Sequence, residues 1–421
     1  MSATSHGCIL NSICEFIIDC EHKTASTQED GYPSIRTPNI GRGRLILESV
    51  NRVSEETYNS WTQRAIPREG DLILAREAPV GNVAIIPKNL QVCLGQRTVL
   101  IRPDRLKVDP NYLVYLLLGD RIQGKIQSLT GGATVAHLNM GEIRKLELPT
   151  LPPLPTQQKI AAILSAYDDL IENNTRRIKI LEEMAQIIYQ EWFVNFRFPG
   201  HEGMRMVESE LGPVPEGWEV VKVSEKFKTI LGGTPSRVKP EYWENGSIPW
   251  INSGKVNELR IISPSELITK IGYDNSSTKL MPKRTTLIAI TGATLGQVSL
   301  LEIEACGNQS IVGICDIEGL YSEFLYLTIS SNISSIIKHA SGGAQQHINK
   351  EIINDVKILL PPKSIIDQFS VFEKPIFDMI EKIILKNANL RRTRDLLLPK
   401  LISGEIDVSE LEILIPEEMV T

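Results

Sequence analysis

Two short segments of this 421-residue chain gather side chains whose hydrogen-bonding groups suit nucleic acid. Base edges are told apart by paired donors and acceptors, Arg or Lys for guanine and Asn or Gln for adenine, while Ser, Thr and Lys commonly hold phosphates. The stretch "SIRTPNIGRGR" carries Arg36, Thr37, Asn39, Arg42 and Arg44 between glycines and prolines. A later region answers it: "GGTPSR" supplies Thr234, Ser236 and Arg237, and "WINSGK" supplies Asn252 and Lys255. Each segment alone has the composition of a solvated loop; their correspondence favours contact by at least one arginine. Gln96 and Arg97 in one half and Gln309 in the other follow turns at matching places, where they either reach a ligand or cap a strand. Trp250, next to a strand-like run, reads as a packing residue rather than a stacking one.

No catalytic constellation accompanies them. The two Pro-Pro pairs read "LPPL" and "LPPK", without the acidic, Asn or Ser residue before Pro-Pro-aromatic that an adenine amino-methyltransferase uses on its flipped base. A phosphate-binding loop needs GxxxxGK followed by Ser or Thr, and "GDRIQGKI" ends in Ile126 within a helical pattern. The six histidines form no HxE or HExxH motif, and the six cysteines form no CxxC pair, so buried free thiols are expected and no metal or cofactor site is assigned.

Composition bounds the rest. With 42% hydrophobic and 23% charged residues, the chain has material for two or three domains with real cores. No apolar run approaches the ~18 residues of a spanning helix, and "MSATSHGCILNSICEF" lacks the features of a signal peptide, so a cytoplasmic protein is expected. The net charge of -6 is spread thinly along the chain, which argues against a free-standing protein that grips nucleic acid by bulk charge alone. Local patches or partner subunits would have to supply the field.

The elements that must position these residues are written twice. Ile35 matches Ile251, Gly81 matches Gly296, His137 matches His347 and Gln158 matches Gln368, with offsets drifting from 216 to 210. Small loop deletions in a duplicated sequence produce such a drift, whereas chance matches scatter. In the first copy β-like runs at 71–77, 83–87 and 98–103 precede an amphipathic helix near 110–127. The second repeats the order at 285–292, 298–302, 310–317 and 321–339. Gly-Gly segments then break each helix in "TGGATVAHLN" and "SGGAQQHIN", where His137 and His347 are expected to secure the glycine loop by hydrogen bonds. Thr134 in one stretch and Gln345 and Gln346 in the other stand where the two copies differ, and are the first candidates for reading different bases.

A final strand and a proline pair lead each copy into a heptad. Ile160, Tyr167, Asn174, Leu181 and Ile188, with Leu164, Ile171, Ile178, Ala185 and Trp192, make a coiled-coil seam over residues 155–192, roughly 57 Å at ~1.5 Å per residue. Asn174 either sets helix register or faces solvent at a loose layer. The carboxyl-terminal counterpart has Phe369, Ile376, Ile383, Leu390 and Leu397 at seven-residue spacing, but it is less regular, and Pro375 should kink or delay it. The order domain, helix, domain, helix requires the helices to pair antiparallel. The expected fold is thus α+β: two similar mixed α/β domains at 1–150 and 205–360, spacer helices at 151–199 and 361–405, a tail at 406–421, and an approximate internal two-fold.

The motifs "LPPLPTQQKIAAIL", "QEWFVNFRFPG", "LGPVPEGWEVVKV" and "LLLPKLISGEI", in this order and with the internal repeat, resemble the specificity subunits of type I restriction-modification systems over nearly the whole chain. The resemblance implies two target recognition domains, each reading half of a bipartite asymmetric site in double-stranded DNA, with the helices setting the gap. It also implies two methylation subunits that carry S-adenosylmethionine and methylate adenine, restriction subunits that use ATP and Mg to translocate and cut, and a specificity chain without catalysis or cofactor of its own. The alternative from another class is a scaffold whose duplicated domains bind proteins on a helical spacer.

Overall fold

The computed structural model describes residues 7–131, 137–339 and 347–416. The chain divides into two compact units, one of residues 1–171 with 389–421 and one of residues 172–388, and both long helices pass through the division.

In the first unit the run predicted at 98–103 is the strand Thr98–Pro103, flanked by Cys14–Asp19 and Leu72–Ala75 in antiparallel register. Val83–Ile85 and then Gly43–Arg44 complete a five-stranded sheet, the last strand running parallel to its neighbour. Leu72–Ala75 is buried along its whole length because both faces of the sheet are covered, which is why its sequence is a continuous apolar run. Below it lie the helices Pro110–Leu118 and Asp120–Leu129, parted at Gly119. Asp109 starts the first of these by accepting the Tyr112 N–H at 2.8 Å, with Pro110 in the first helical position. The near-miss phosphate motif lies in the second of them. A smaller sheet pairs Tyr32–Ile35 with Arg52–Val53 and Cys93–Leu94.

The second unit repeats the five-stranded sheet strand for strand and adds a fourth strand, Leu280–Met281, to the smaller one. Its five-stranded sheet runs Lys228–Leu231, Ile311–Cys315, Thr286–Ala289, Val298–Leu301 and Arg260–Ile261, the same order and directions as in the first. Ile248–Ile251 pairs in parallel with Ala305–Gly307 as Tyr32–Ile35 does with Cys93–Leu94. The expected α+β architecture, two related domains and two long helices, is therefore the one the chain adopts.

The first long helix runs Leu154–Tyr189 and closes in a π-helical turn, Gln190–Val194. All ten seam positions read from its sequence are buried or half-buried. The second runs unbroken from Lys363 to Ser403, so Pro375 does not delay it; the proline removes one backbone donor and leaves the rest of the ladder in place. Its irregularity has a physical cause. Besides the apolar row, a second seven-residue row (Ile366, Glu373, Ile380, Asn387, Arg394, Leu401) faces inward, and three of its members are polar. In the first unit Arg394 meets Asp168 at 2.5 Å. In the second, Asn387 accepts a hydrogen bond from Asn174 at 2.8 Å, and the Trp192 and Phe369 rings lie 5.7 Å apart. Numbers rise on one helix as they fall on the other, so the pair is antiparallel, and Asn174 takes the register role rather than facing solvent.

Each domain grips the helices through an arginine from the same place in its sheet. Arg44 and Arg260 occupy equivalent registers on the edge strand. Arg44 pairs with Asp169. Arg260, wholly buried, pairs with Glu182 at 2.5 Å and stacks 4.3 Å over the Phe377 ring and 4.6 Å over Tyr326. Around it the second unit buries more charge than it pairs. Among the described residues neither carboxyl oxygen of Glu373 has a hydrogen-bond partner, and burial, reinforced by Glu323 and Glu182 and opposed by Arg260, pushes its carboxyl up to about 8. Burial likewise lifts Glu302 to about 7 against the pull of Arg284 and Arg260.

Two outcomes follow. Asn174→Leu takes the amide donor from the buried Asn387 carbonyl and should cost about 1–3 kcal/mol, read as a lower urea midpoint, whereas the Asn174→Leu/Asn387→Leu double variant should recover most of it. The folded chain holds protons on Glu302 and Glu373 that the unfolded chain has released by the ordinary carboxylate range, so stability should fall as pH rises from about 5 to about 8. Glu373→Gln should flatten that decline in thermal midpoint; an unchanged slope would count against the buried-carboxyl account.

Candidate nucleic-acid interface

The register of the two sheets sets a one-to-one correspondence between the domains. Ala75 opposite Thr98 matches Ala289 opposite Ile311, so Gln96 aligns with Gln309 and Arg97 with Ser310. The Leu138 N–H bonds to the Arg76 carbonyl as the Ile348 N–H bonds to that of Ile290. Residues 76–77, 96–97 and 137–138 thus form one corner of the first domain, and 290–291, 309–310 and 347–348 the same corner of the second.

In the first domain several candidates are occupied in shaping the turn that presents them. The Asn39 amide accepts the Arg36 N–H at 3.2 Å and donates to the Ile46 carbonyl at 3.1 Å, and Thr37 is buried. Arg36 beside them is exposed. Gly95 has to be glycine, since a Cβ there would lie 2.5 Å from Arg36 Cγ and 2.9 Å from the Ile35 carbonyl oxygen. Arg42 donates to the Leu118 carbonyl at 3.1 Å, and Arg44 is engaged with the spacer helix. Gln96 is half-buried, whereas Arg97 projects outward from a left-handed backbone position, φ 67°.

The second domain holds its candidates more tightly. Arg237 makes two 2.7 Å bonds to Glu266 and lies 3.5 Å over the Trp243 ring; the pairing raises the arginine and lowers the Glu266 carboxyl from their ordinary ranges. Trp250 is buried edge-on to Trp243 and donates to the Gly233 carbonyl at 3.0 Å, so it packs, as its sequence context indicated. Asn252 caps a short turn by accepting the Lys255 N–H, and the Lys255 ammonium meets Glu258 at 2.6 Å. Thr234 donates to the Gln309 side chain, and Ser236 is exposed, its carbonyl accepting from the Trp243 indole. Gly232 admits no Cβ: the Asn308 carbonyl oxygen would be 2.1 Å away. Thr134, Gln345 and Gln346 lie outside the described residues.

Sequence reasoning missed the groups behind Arg97. Glu77 Oε2 sits 2.8 Å from its Nε, and Glu77 Oε1 accepts a hydrogen bond from His137 Nδ1 at 3.1 Å. His137 Nε2 accepts from Arg76, whose other amino group meets Asp19 at 2.6 Å. The His137 side chain therefore bonds Arg76 and Glu77, while its backbone bridges Gly131. No local pattern signals a network whose members stand some 60 positions apart.

Among the described residues one set of potential metal ligands, Asp19, Cys20 and His22, comes within 4.8 Å. Arg76 already occupies the Asp19 carboxylate, and burial pushes the Cys20 thiol up, both of which oppose cation binding. The remaining cysteine thiols are free, and burial pushes each of them up as well. No described helix is long and apolar enough to cross a membrane.

Two copies of one mixed α/β domain, each followed by a long helix of an antiparallel pair and each presenting polar groups at one corner, define a modular recognition protein. The family model for the type I restriction modification DNA specificity domain matches residues 10–183 and again 215–396, and the chain belongs to that family. It is 26% identical to the MjaIX specificity subunit of Methanocaldococcus jannaschii over 87% of this chain and 84% of that one. It is 26% identical to the HindI specificity subunit of Haemophilus influenzae over 90% and 95%, and 31% identical to the EcoR124I/EcoR124II specificity subunit of Escherichia coli over 58% and 59%. The fold matches a type I restriction-modification S subunit from M. genitalium at TM-score 0.58 and 16% identity, covering 94% of this chain and 95% of that one.

Proposed function

We propose that this chain is the DNA-reading, non-catalytic subunit of a type I restriction-modification complex, in which each domain reads one half of a bipartite, asymmetric site. The observation that carries the reading is the strand-for-strand repetition of one five-stranded sheet with different side chains at equivalent corner positions: Arg76, Glu77 and Arg97 against Ile290, Thr291 and Ser310. One shared sheet scaffold with unlike surfaces is what two different half-sites demand. The long helices, continuous through both units, set the gap between halves. Two methylation subunits would carry S-adenosylmethionine and modify adenine, and restriction subunits would use ATP and Mg. These partners, working in the cytoplasm, would also supply the positive field that a chain of net charge -6 lacks. The contact candidates named above belong to this reading, with Arg36, Gln96, Arg97 and Ser236 the ones least committed to internal structure.

Methylation profiling of the assembled complex tests it. Exchanging residues 205–360 for the matching region of a relative should change one half-site and leave the other half and the gap intact; changes in both halves would contradict modular reading. Inserting four residues into each long helix beside the Asn174–Asn387 pair adds about one turn, roughly 5.4 Å, and should lengthen the gap by one or two base pairs. An unchanged gap would remove the helices from that role.

A further inference from the structure

In the first domain a line of charged and polar side chains leads from the interior to one exposed guanidinium. Asp19 holds Arg76, which is buried and also donates through Nε to the Leu138 carbonyl at 3.0 Å. A guanidinium only donates, so the His137 nitrogen that Arg76 meets at 2.9 Å is the acceptor of that bond, which leaves Nδ1 to donate. Nδ1 donates to Glu77, whose other oxygen lies 2.8 Å from Arg97 Nε as an ion pair. The Arg97 backbone is held as well: its φ of 67° is rare for a side chain with a Cβ, and its carbonyl accepts the Arg76 N–H at 2.9 Å. Among the described residues the two terminal amino groups of Arg97 meet no acceptor, and its side chain is 61% exposed. In the second domain Ile290, Thr291 and Ser310 stand at the positions of Arg76, Glu77 and Arg97, so this buttress belongs to the first domain alone.

We propose that Arg97 reads a guanine in the half-site bound by the first domain, with Glu77, His137, Arg76 and Asp19 as its positioning residues. The assignment rests on the half-site reading given above. A guanidinium held by an ion pair on its Nε side and by a fixed backbone leaves its two terminal amino groups as a coplanar pair of donors, which matches the two acceptors O6 and N7 of guanine in the major groove; adenine offers one acceptor and one donor there, and does not match. A phosphate contact would gain little from such a tether, since phosphates are met from many directions and carry no sequence information. His137 acts through Glu77 by fixing which oxygen faces Arg97.

The test uses the full-length chain assembled with its methylation subunits, and duplexes in which each guanine of the first half-site is replaced in turn by 7-deazaguanine. The half-site is assigned by the 205–360 exchange. One replacement should slow wild-type methylation by about ten-fold. Arg97→Ala should lose about as much on the unmodified duplex, become indifferent to that one replacement, and keep full discrimination at the second half-site, which serves as the folding control. Glu77→Gln and His137→Ala should weaken discrimination at the same base pair, and His137→Gln, which keeps an acceptor for Arg76, should restore part of it. Arg97→Ala variants that lose affinity equally for all duplexes, that lose nothing, or whose change falls in the other half-site would overturn the assignment while leaving modular reading intact. A wild-type complex with no bipartite preference at all would overturn both.

Discussion

The constraint on which everything else rests is that each long helix carries an apolar seam it cannot leave in water. A helix of 36 residues and another of 41 hide those seams against each other, and the antiparallel direction follows from the order of elements along the chain. Polar members of the seam make that pairing specific. Asn174 donates to Asn387 and Arg394 pairs with Asp168 only in this alignment, so a slip by one heptad would break both polar contacts across the seam. The seam gives up some stability for a single register, and a single register is what a spacer of defined length requires.

The domains are then held by the same logic of arginine reaching from sheet to helix. Arg44 and Arg260 leave equivalent strands, yet one pair is exposed and the other buried between aromatic rings. Duplication kept the attachment point while its surroundings diverged. The second unit consequently carries an excess of buried carboxyls around Arg260 and Arg284, which explains why Glu302 and Glu373 hold their protons toward neutrality. At the other face the same divergence is useful. A corner made of Arg76, Glu77, Arg97 and His137 in one copy and of Ile290, Thr291, Ser310 and His347 in the other can present different donors from one backbone. The family's model matching twice along the chain is the sequence-level trace of that history.

Much of this was legible in the sequence because it depends on local periodicity and on repetition. The strand Thr98–Pro103, the ten-position seam of the first helix and the equivalence of Gln96 with Gln309 all rest on patterns a few residues long, and hydrophobic burial enforces such patterns directly. The second helix was harder to read because Glu373, Asn387 and Arg394 interrupt its inner row, and a polar residue in a seam looks like a solvent-facing one until its partner is known. Pro375 was expected to delay that helix, but one missing donor is a small loss to a helix packed along its length.

The sequence by itself therefore determined the duplicated α+β architecture, the antiparallel pairing and the family, since each is a matter of order, spacing and apolar period. Only the tertiary structure decided which candidates are spent internally. Asn39 and Asn252 cap turns, Arg237 is locked to Glu266, Arg44 is turned toward the spacer helix, and Arg97 stands outward on a buttress of residues from three separate segments. The reason is physical: a side chain's hydrogen-bonding role is set by what folding brings within about 3 Å of it, and partners tens of positions away in the chain leave no mark on its neighbours in sequence.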